Sequence, residues 1–253
     1  MTSAPPVSRG FSLIELMCSM TIGSVILLAA AALLGSSGDG YERVGGGVAG
    51  EREGRAAVSQ IASDLASARF HPNGVLEKST AAWPADRLGF LSLQPPRAQS
   101  DAGRIGDLCA VSYYIKDLAV GGKTIRCLMR GFRESADTFK SLGDNQVAAL
   151  FTERNNIDEP IAFGVVAFEA RPKSRDASGK WIDWIENDIT GPEALDVRLT
   201  VARRDLAGRL KLPGDWDGAG TAGHLLGKAA GADRHAKLEV YATLIRYGNH
   251  ENR

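Results

Sequence analysis

The chain has 253 residues, with 30 Lys plus Arg balanced by 30 Asp plus Glu, so its net charge is zero. That length holds an apolar anchor plus one domain of ordinary size, or two small ones. A neutral balance excludes the global electrostatic footprint of a nucleic-acid binder, and no acidic tail is present.

A short polar leader, residues 1–10, ends in Arg9-Gly10. From Phe11 to Leu34 the sequence is nearly continuous hydrophobe, interrupted by a single charge, Glu15. As a helix, some twenty residues cover the roughly 30 Å of hydrocarbon in a bilayer. A lone carboxylate at that depth costs about 2.5–3.5 kcal/mol, so it requires a partner and marks a functional position. Arg9 and the amino terminus lie before the run, while Asp39, Glu42, Glu51 and Glu53 outnumber Arg43 and Arg52 after it. The basic side is expected to stay in the cytoplasm, which puts the C-terminal body on the outer face.

Residues 35–54 form a Gly-rich segment: Gly35, Gly38, Gly40, Gly45, Gly46, Gly47, Gly50 and Gly54 crowd it. Each interior Gly costs a helix about 1 kcal/mol relative to Ala. The segment therefore either melts locally or uses its small residues for close helix packing. Helical periodicity returns over 55–70, where Ala57, Val58, Ile61, Leu65 and Ala68 share one face and Gln60, Ser63, Asp64 and Ser67 are polar. His71-Pro72-Asn73-Gly74 ends that helix.

The body, 71–253, reads as strands and loops. Strands are expected at 87–93, 108–115, 124–130, 161–170, 195–203 and 238–247. In Leu195-Asp196-Val197-Arg198-Leu199-Thr200-Val201 the apolar residues take every second place, as a half-buried strand requires. Gln94-Pro95-Pro96, Gly121-Gly122, the turn at 176–179 and the stretch 213–223 have loop compositions. The class is α+β: an N-terminal hydrophobic helix, half apolar and half amphipathic, packed on a C-terminal antiparallel sheet.

Few residues offer chemistry. His71, His224, His235 and His250 fall in expected loops or near the terminus, outside any metal or nucleophile motif. No phosphate loop or dinucleotide fingerprint occurs, and the glycines at 45–47 lack the Lys-Ser/Thr ending such a loop needs. Asp215-Trp216-Asp217-Gly218 alternates oxygens as calcium loops do, without a Glu at ligand distance. No metal, cofactor or catalytic residue is expected. Trp181 and Trp184, on a polar turn, either cap the sheet or form a contact patch. Cys18 lies in the apolar run. Cys109 and Cys127 fall on neighbouring expected strands and can pair in an oxidising compartment, at a gain of about 3 kcal/mol. A turn centred on Gly121-Gly122 would put the two out of register.

The octet Gly10-Phe11-Ser12-Leu13-Ile14-Glu15-Leu16-Met17 resembles the N-terminus of type IV prepilins and type II secretion pseudopilins. The resemblance implies cleavage after Gly10 by a prepilin peptidase, methylation of the new N-terminus at Phe11, and use of Glu15, then fifth residue of the mature chain, as the assembly contact. It also implies an inner-membrane precursor with a periplasmic body. Other pilin or pseudopilin subunits would be its partners, and nucleic acid would not. A secretory signal peptide, with 30–32 as a small-residue cleavage site, or an uncleaved signal anchor would share the basic leader and apolar core. Neither needs an acid inside that core. An anchored periplasmic binding or hydrolytic domain is the alternative function.

A looser resemblance lies in the body. Phe168 to Arg171, Asp176 to Trp184 and Pro192 to Thr200 resemble the C-terminal half of J-type minor pseudopilins and PilW-like minor pilins, and 111–115 with 127–130 resembles their central hairpin. The chain is also similar to the Verru_Chthon cassette protein C family. These likenesses imply a minor subunit at or near the tip of a type II secretion pseudopilus or type IV pilus.

Overall fold

The structure, a computed structural model, describes residues 13–69, 74–185 and 191–247, without the side chains of residues 15, 19 and 29–50. The leader, Gly10, Phe11, His71, Pro72, Asn73 and His250 lie outside the described residues. The chain divides into two units, 1–45 and 46–253.

A single helix, α1 (Leu13–Ala66), runs through the apolar segment, the Gly-rich interval and the amphipathic stretch. The interval 35–54 is therefore helical. One of its glycines has a packing reason: a Cβ on Gly54 would lie 2.3 Å from the Tyr241 ring. The helix stops earlier than the apolar spacing suggested, because Ala68 and Arg69 leave it to form a short strand, β1 (Ala68–Arg69), against Ser92 and Leu91.

The body of the second unit holds two antiparallel sheets, where the strand pattern suggested one. The first contains β1, β2 (Val75–Glu77), β3 (Arg87–Leu93), β4 (Leu108–Val120), β5 (Lys123–Arg133) and β6 (Glu159–Phe163). Its order is β1-β3-β4-β5-β6, with β2 also on β3. Between β5 and β6 come two short helices, α2 (Ser135–Gly143) and α3 (Val147–Leu150). The second sheet contains β7 (Val165–Arg175), β8 (Trp181–Asp183), β9 (Ala194–Ala202) and β10 (Leu238–Arg246), in the order β10-β9-β7-β8. Helices α4 (Arg204–Ala207) and α5 (Pro213–Trp216) sit in the β9–β10 connection.

The run read as one strand over 161–170 is two. Gly164 sits at φ +71°, where an L side chain is strained, and there the chain leaves the first sheet and begins the second. The β4–β5 hairpin closes on Gly121 and Gly122, both at positive φ, with Val120 opposite Lys123. That pair of left-handed residues is the tight turn whose twist matches two antiparallel strands.

One core unites these parts. Ala57, Ile61 and Leu65 of α1 and Ala68 of β1 pack with Leu88, Val111, Tyr113 and Leu128 of the first sheet and Phe168, Val197 and Leu199 of the second. The stripe at spacings of four, four and three is the amphipathic face read from sequence, and each of its four residues is at most 1% exposed. Backbone also links the sheets. Asp86 N–H donates to the Phe168 carbonyl at 3.0 Å, and Phe168 N–H donates to the Pro84 carbonyl at 2.8 Å. The Asp86 carboxylate, buried, accepts from Lys78 and from the N–H groups of Ser79 and Ala170. A second cluster, around Trp83, Leu206, Leu210, Trp216 and Leu226, underlies the β9–β10 connection.

Candidate functional site

Of the residues singled out by sequence, Gly10 and Phe11 lie outside the described residues and Glu15 lies in the first turns of α1. The apolar side chains described there face outward: Leu13 is 79% exposed, Ile14 72% and Leu27 72%, with Met17, Met20, Ile22, Val25 and Ile26 also exposed. An apolar surface of that length on an isolated chain marks a contact with lipid or protein. The hydroxyls within it are already satisfied. Thr21 Oγ1 donates to the Met17 carbonyl at 2.7 Å, and Ser24 Oγ donates to the Met20 carbonyl. These bonds back to the preceding turn let hydroxyls sit in an apolar setting at little cost. Among the described residues no helix is long and apolar enough to cross a membrane.

The later part of α1 is fixed by a charge that periodicity did not single out. Asp64, read from sequence as one of the polar-face residues, is 1% exposed. Arg130 of β5 donates to it from Nε at 2.8 Å and Nη2 at 3.2 Å, and Tyr113 of β4 donates from its hydroxyl at 2.5 Å. Gln94 Nε2 donates at 3.0 Å, and Ser92 Oγ reaches the Asp64 carbonyl at 2.8 Å. The guanidinium lies over the Phe132 ring, 5.0 Å from its centroid. Burial, joined by the Asp64 charge, pushes the Tyr113 hydroxyl well above its usual range and keeps it a donor. Asp64 sits three residues past Ile61 and one before Leu65, on the edge of the buried stripe. The signal in the sequence was that placement, together with an Arg on a strand otherwise rich in apolar residues.

A second buried pair orders the first sheet. Arg133 Nη1 donates to Asp158 Oδ1 at 2.5 Å, while Tyr114 Oη and Arg154 N–H reach Oδ2 at 2.7 and 2.8 Å. Burial opposes ionisation of Asp158, but the Arg133 guanidinium and these donors outweigh it and hold the carboxyl below the usual range.

The remaining candidates have structural roles. Cys109 and Cys127 are free thiols. Lys116 pairs with Cys127, whereas Cys109 sits seven places further along β4, so the two are separated by roughly 24 Å of strand at ~3.4 Å per residue. The hairpin at Gly121-Gly122 sets that register and excludes the disulfide. Burial pushes the Cys109 thiol up to about 11 and Cys127 to about 12.

The carboxylates of Asp215 and Asp217 are already engaged. Asp215 accepts N–H bonds from Lys211, Leu212 and Ala222 at 2.9–3.0 Å, and Asp217 pairs with Arg126 at 2.6 Å. Among the described residues no group of three or more His, Cys, Asp or Glu is placed to hold a metal. His224 bonds the Thr221 carbonyl, and His235 accepts from Lys237 N–H. Trp181 stacks under Arg175, with the guanidinium 4.7 Å from the ring centroid.

Residues 6–31 match the prokaryotic N-terminal methylation motif. The match spans Gly10, Phe11 and Glu15 and stops well before the β body. The motif supports the type IV pilin and pseudopilin family. It indicates a chain of the kind processed by prepilin peptidase. No curated protein matches the chain significantly.

Proposed function

We propose that the chain is a minor pilin or pseudopilin, cut after Gly10, methylated on Phe11 and assembled at or near the tip of a type II secretion pseudopilus or type IV pilus. Its role is structural rather than enzymatic. Before assembly it is held in the inner membrane by a single pass over 11–34, with the β body in the periplasm. The methylation motif carries the reading, and the outward-facing apolar side chains from Leu13 to Leu28 support it, since they need lipid or sister helices to cover them.

The acid at position 15 gives the mechanism. Cleavage turns the amide of Phe11 into an ammonium. In a low-dielectric bundle an ammonium and a carboxylate from neighbouring subunits neutralise each other, whereas either alone is costly. Assembly then completes a pair that neither the precursor nor the isolated chain can make. The sequence stretches 168–171, 176–184 and 192–200 resemble those of J-type pseudopilins and PilW-like pilins, which supports the minor-subunit assignment.

Two substitutions test this. Gly10→Val should block processing, so the precursor keeps its full mass on a gel. A shortened product from that variant would refute the cleavage site. Glu15→Leu should be cut yet enter filaments poorly, and normal incorporation would refute the pairing. Mass spectrometry of the mature protein should find methyl-phenylalanine first.

A further inference from the structure

A cleft of about 540 Å³ opens in the second unit, at the corner where the chain passes from the first sheet to the second. That volume lies within the roughly 300–1,000 Å³ of sites that enclose a small ligand. Its walls are apolar: Ile125, Val201, Leu210 and Trp216 line it, with Phe163 at 45% exposure. Leu212, next along the chain from Lys211, is 59% exposed.

The charge around this cleft is unlike that of the neutral whole. Lys123 and Arg204 line it, and Arg209 and Lys211 are the sequence neighbours of the lining Leu210. None of these four side chains has an ion pair among the described residues. The acids nearby are already engaged: Asp205 by Lys237, Asp217 by Arg126 and Asp215 by backbone N–H groups. Among the described lining residues Glu53 of α1 is the one carboxylate, and it stands against the two lining cations Lys123 and Arg204.

We propose that this cleft receives an acidic polypeptide segment carrying two neighbouring large apolar side chains, with the side chains entering the cavity and the carboxylates meeting Lys123 and Arg204. Unpaired cations around a concave apolar floor select that combination, because the apolar part supplies burial and the charges supply orientation. Single-stranded nucleic acid fits less well. It needs several exposed aromatic faces on which bases stack, and here Trp216 is fully buried, leaving Phe163 alone. The surface lies outside the methylation motif, and the proposal does not depend on how the N-terminus is processed.

The test uses the full chain in phosphatidylcholine nanodiscs, titrated calorimetrically with the peptide Asp-Glu-Leu-Phe-Asp-Glu. Saturable binding is expected. It should weaken about tenfold in the Lys123→Gln/Arg204→Gln double variant and tighten several-fold in Glu53→Gln, because each change alters the charge the peptide meets. Phe163→Ser should weaken it as well, as should replacing the peptide acids by Asn and Gln. All the substituted residues are at least partly exposed, and unchanged far-UV circular dichroism verifies the fold. The proposal is overturned by absence of saturation up to about 1 mM, or by binding indifferent to all three charge changes. Displacement of the peptide by an oligothymidylate that binds more tightly would also overturn it, in favour of a nucleic-acid surface.

Discussion

Asp64→Ala tests the claim that one buried charge fixes the later half of α1 to the body. The substitution removes the acceptor of two Arg130 bonds, one Tyr113 bond, one Gln94 bond and one Gln60 bond. Removing one partner of a buried ion pair typically costs about 3–5 kcal/mol, because the survivor stays desolvated. Arg130 keeps 19% of its side chain in solvent, which relieves part of that cost, while Asp64 keeps only 2%. Tyr113 is fully buried, so its orphaned hydroxyl adds to the loss, at about 1–3 kcal/mol when considered alone. These losses share partners and do not sum. A net destabilisation of about 3–4 kcal/mol follows, equivalent to a fall in Tm of roughly 10 °C for a body of this size. The assay is thermal unfolding of the full chain in detergent, read by near-ultraviolet circular dichroism, with hydrogen exchange along α1. Amides over 57–66 should lose protection before those of β4 and β5. The double change Asp64→Leu/Arg130→Met should recover most of the stability, since both charges leave together. If Asp64→Ala stays within about 1 kcal/mol of the parent, or if Arg130→Met added to it makes matters worse, the helix is held by its apolar stripe alone.

Acid should act through Asp158. Its folded carboxyl is depressed, so the unfolded chain binds more protons in the acid range and stability falls as pH drops. The loss begins near the unfolded value of about 4 and continues down through the folded one. Asp158→Asn should flatten that limb of a stability–pH curve, and an unchanged limb would contradict the assignment. Gly54→Ala should be neutral to destabilising by about 2 kcal/mol, the helix-propensity gain being offset by the collision with Tyr241. In a Tyr241→Ala background the same change should stabilise by about 1 kcal/mol, measured by denaturant unfolding. Thiol titration without reductant should find all three cysteines in the denatured chain. In the folded chain Cys109 and Cys127 should react slowly, since both are buried with raised pKa values.

Sequence legibility followed the range of the interactions. The apolar run, its single acid and the stripe 57–61–65–68 are local periodicities, and each is visible without knowing what lies opposite. Strand 87–93 emerged with the bounds its composition suggested, because Arg87 to Leu93 is apolar enough to be buried on both faces and is bracketed by Pro84 and Pro95. The disulfide depended on register. Once two glycines fix a hairpin, every pairing along β4 and β5 is decided, and Cys109 lies seven residues along β4 from Lys116, the partner of Cys127. Asp64 was hidden for a different reason: whether an acid beside an apolar stripe is solvated or buried is decided by a guanidinium 66 residues away in sequence.

The division into two sheets shows the same logic at the level of the fold, and it bears on the cleft. Composition alone cannot separate Phe163 from Val165, since a strand of the first sheet and a strand of the second demand the same apolar residues. The separation rests on Gly164, whose positive φ turns the chain out of one sheet and into the other. A Cβ there would lie 3.3 Å from the Ala202 carbonyl oxygen and 3.6 Å from the Ala207 side chain, both of which line the cleft. The corner is thus held open by a residue that no bulkier one can replace without moving a cavity wall. Gly164→Ala should cost about 1–3 kcal/mol from left-handed strain. It should also weaken peptide binding at the cleft beyond what the stability loss explains. Binding unchanged in a folded Gly164→Ala protein would mean that the corner and the cleft are independent.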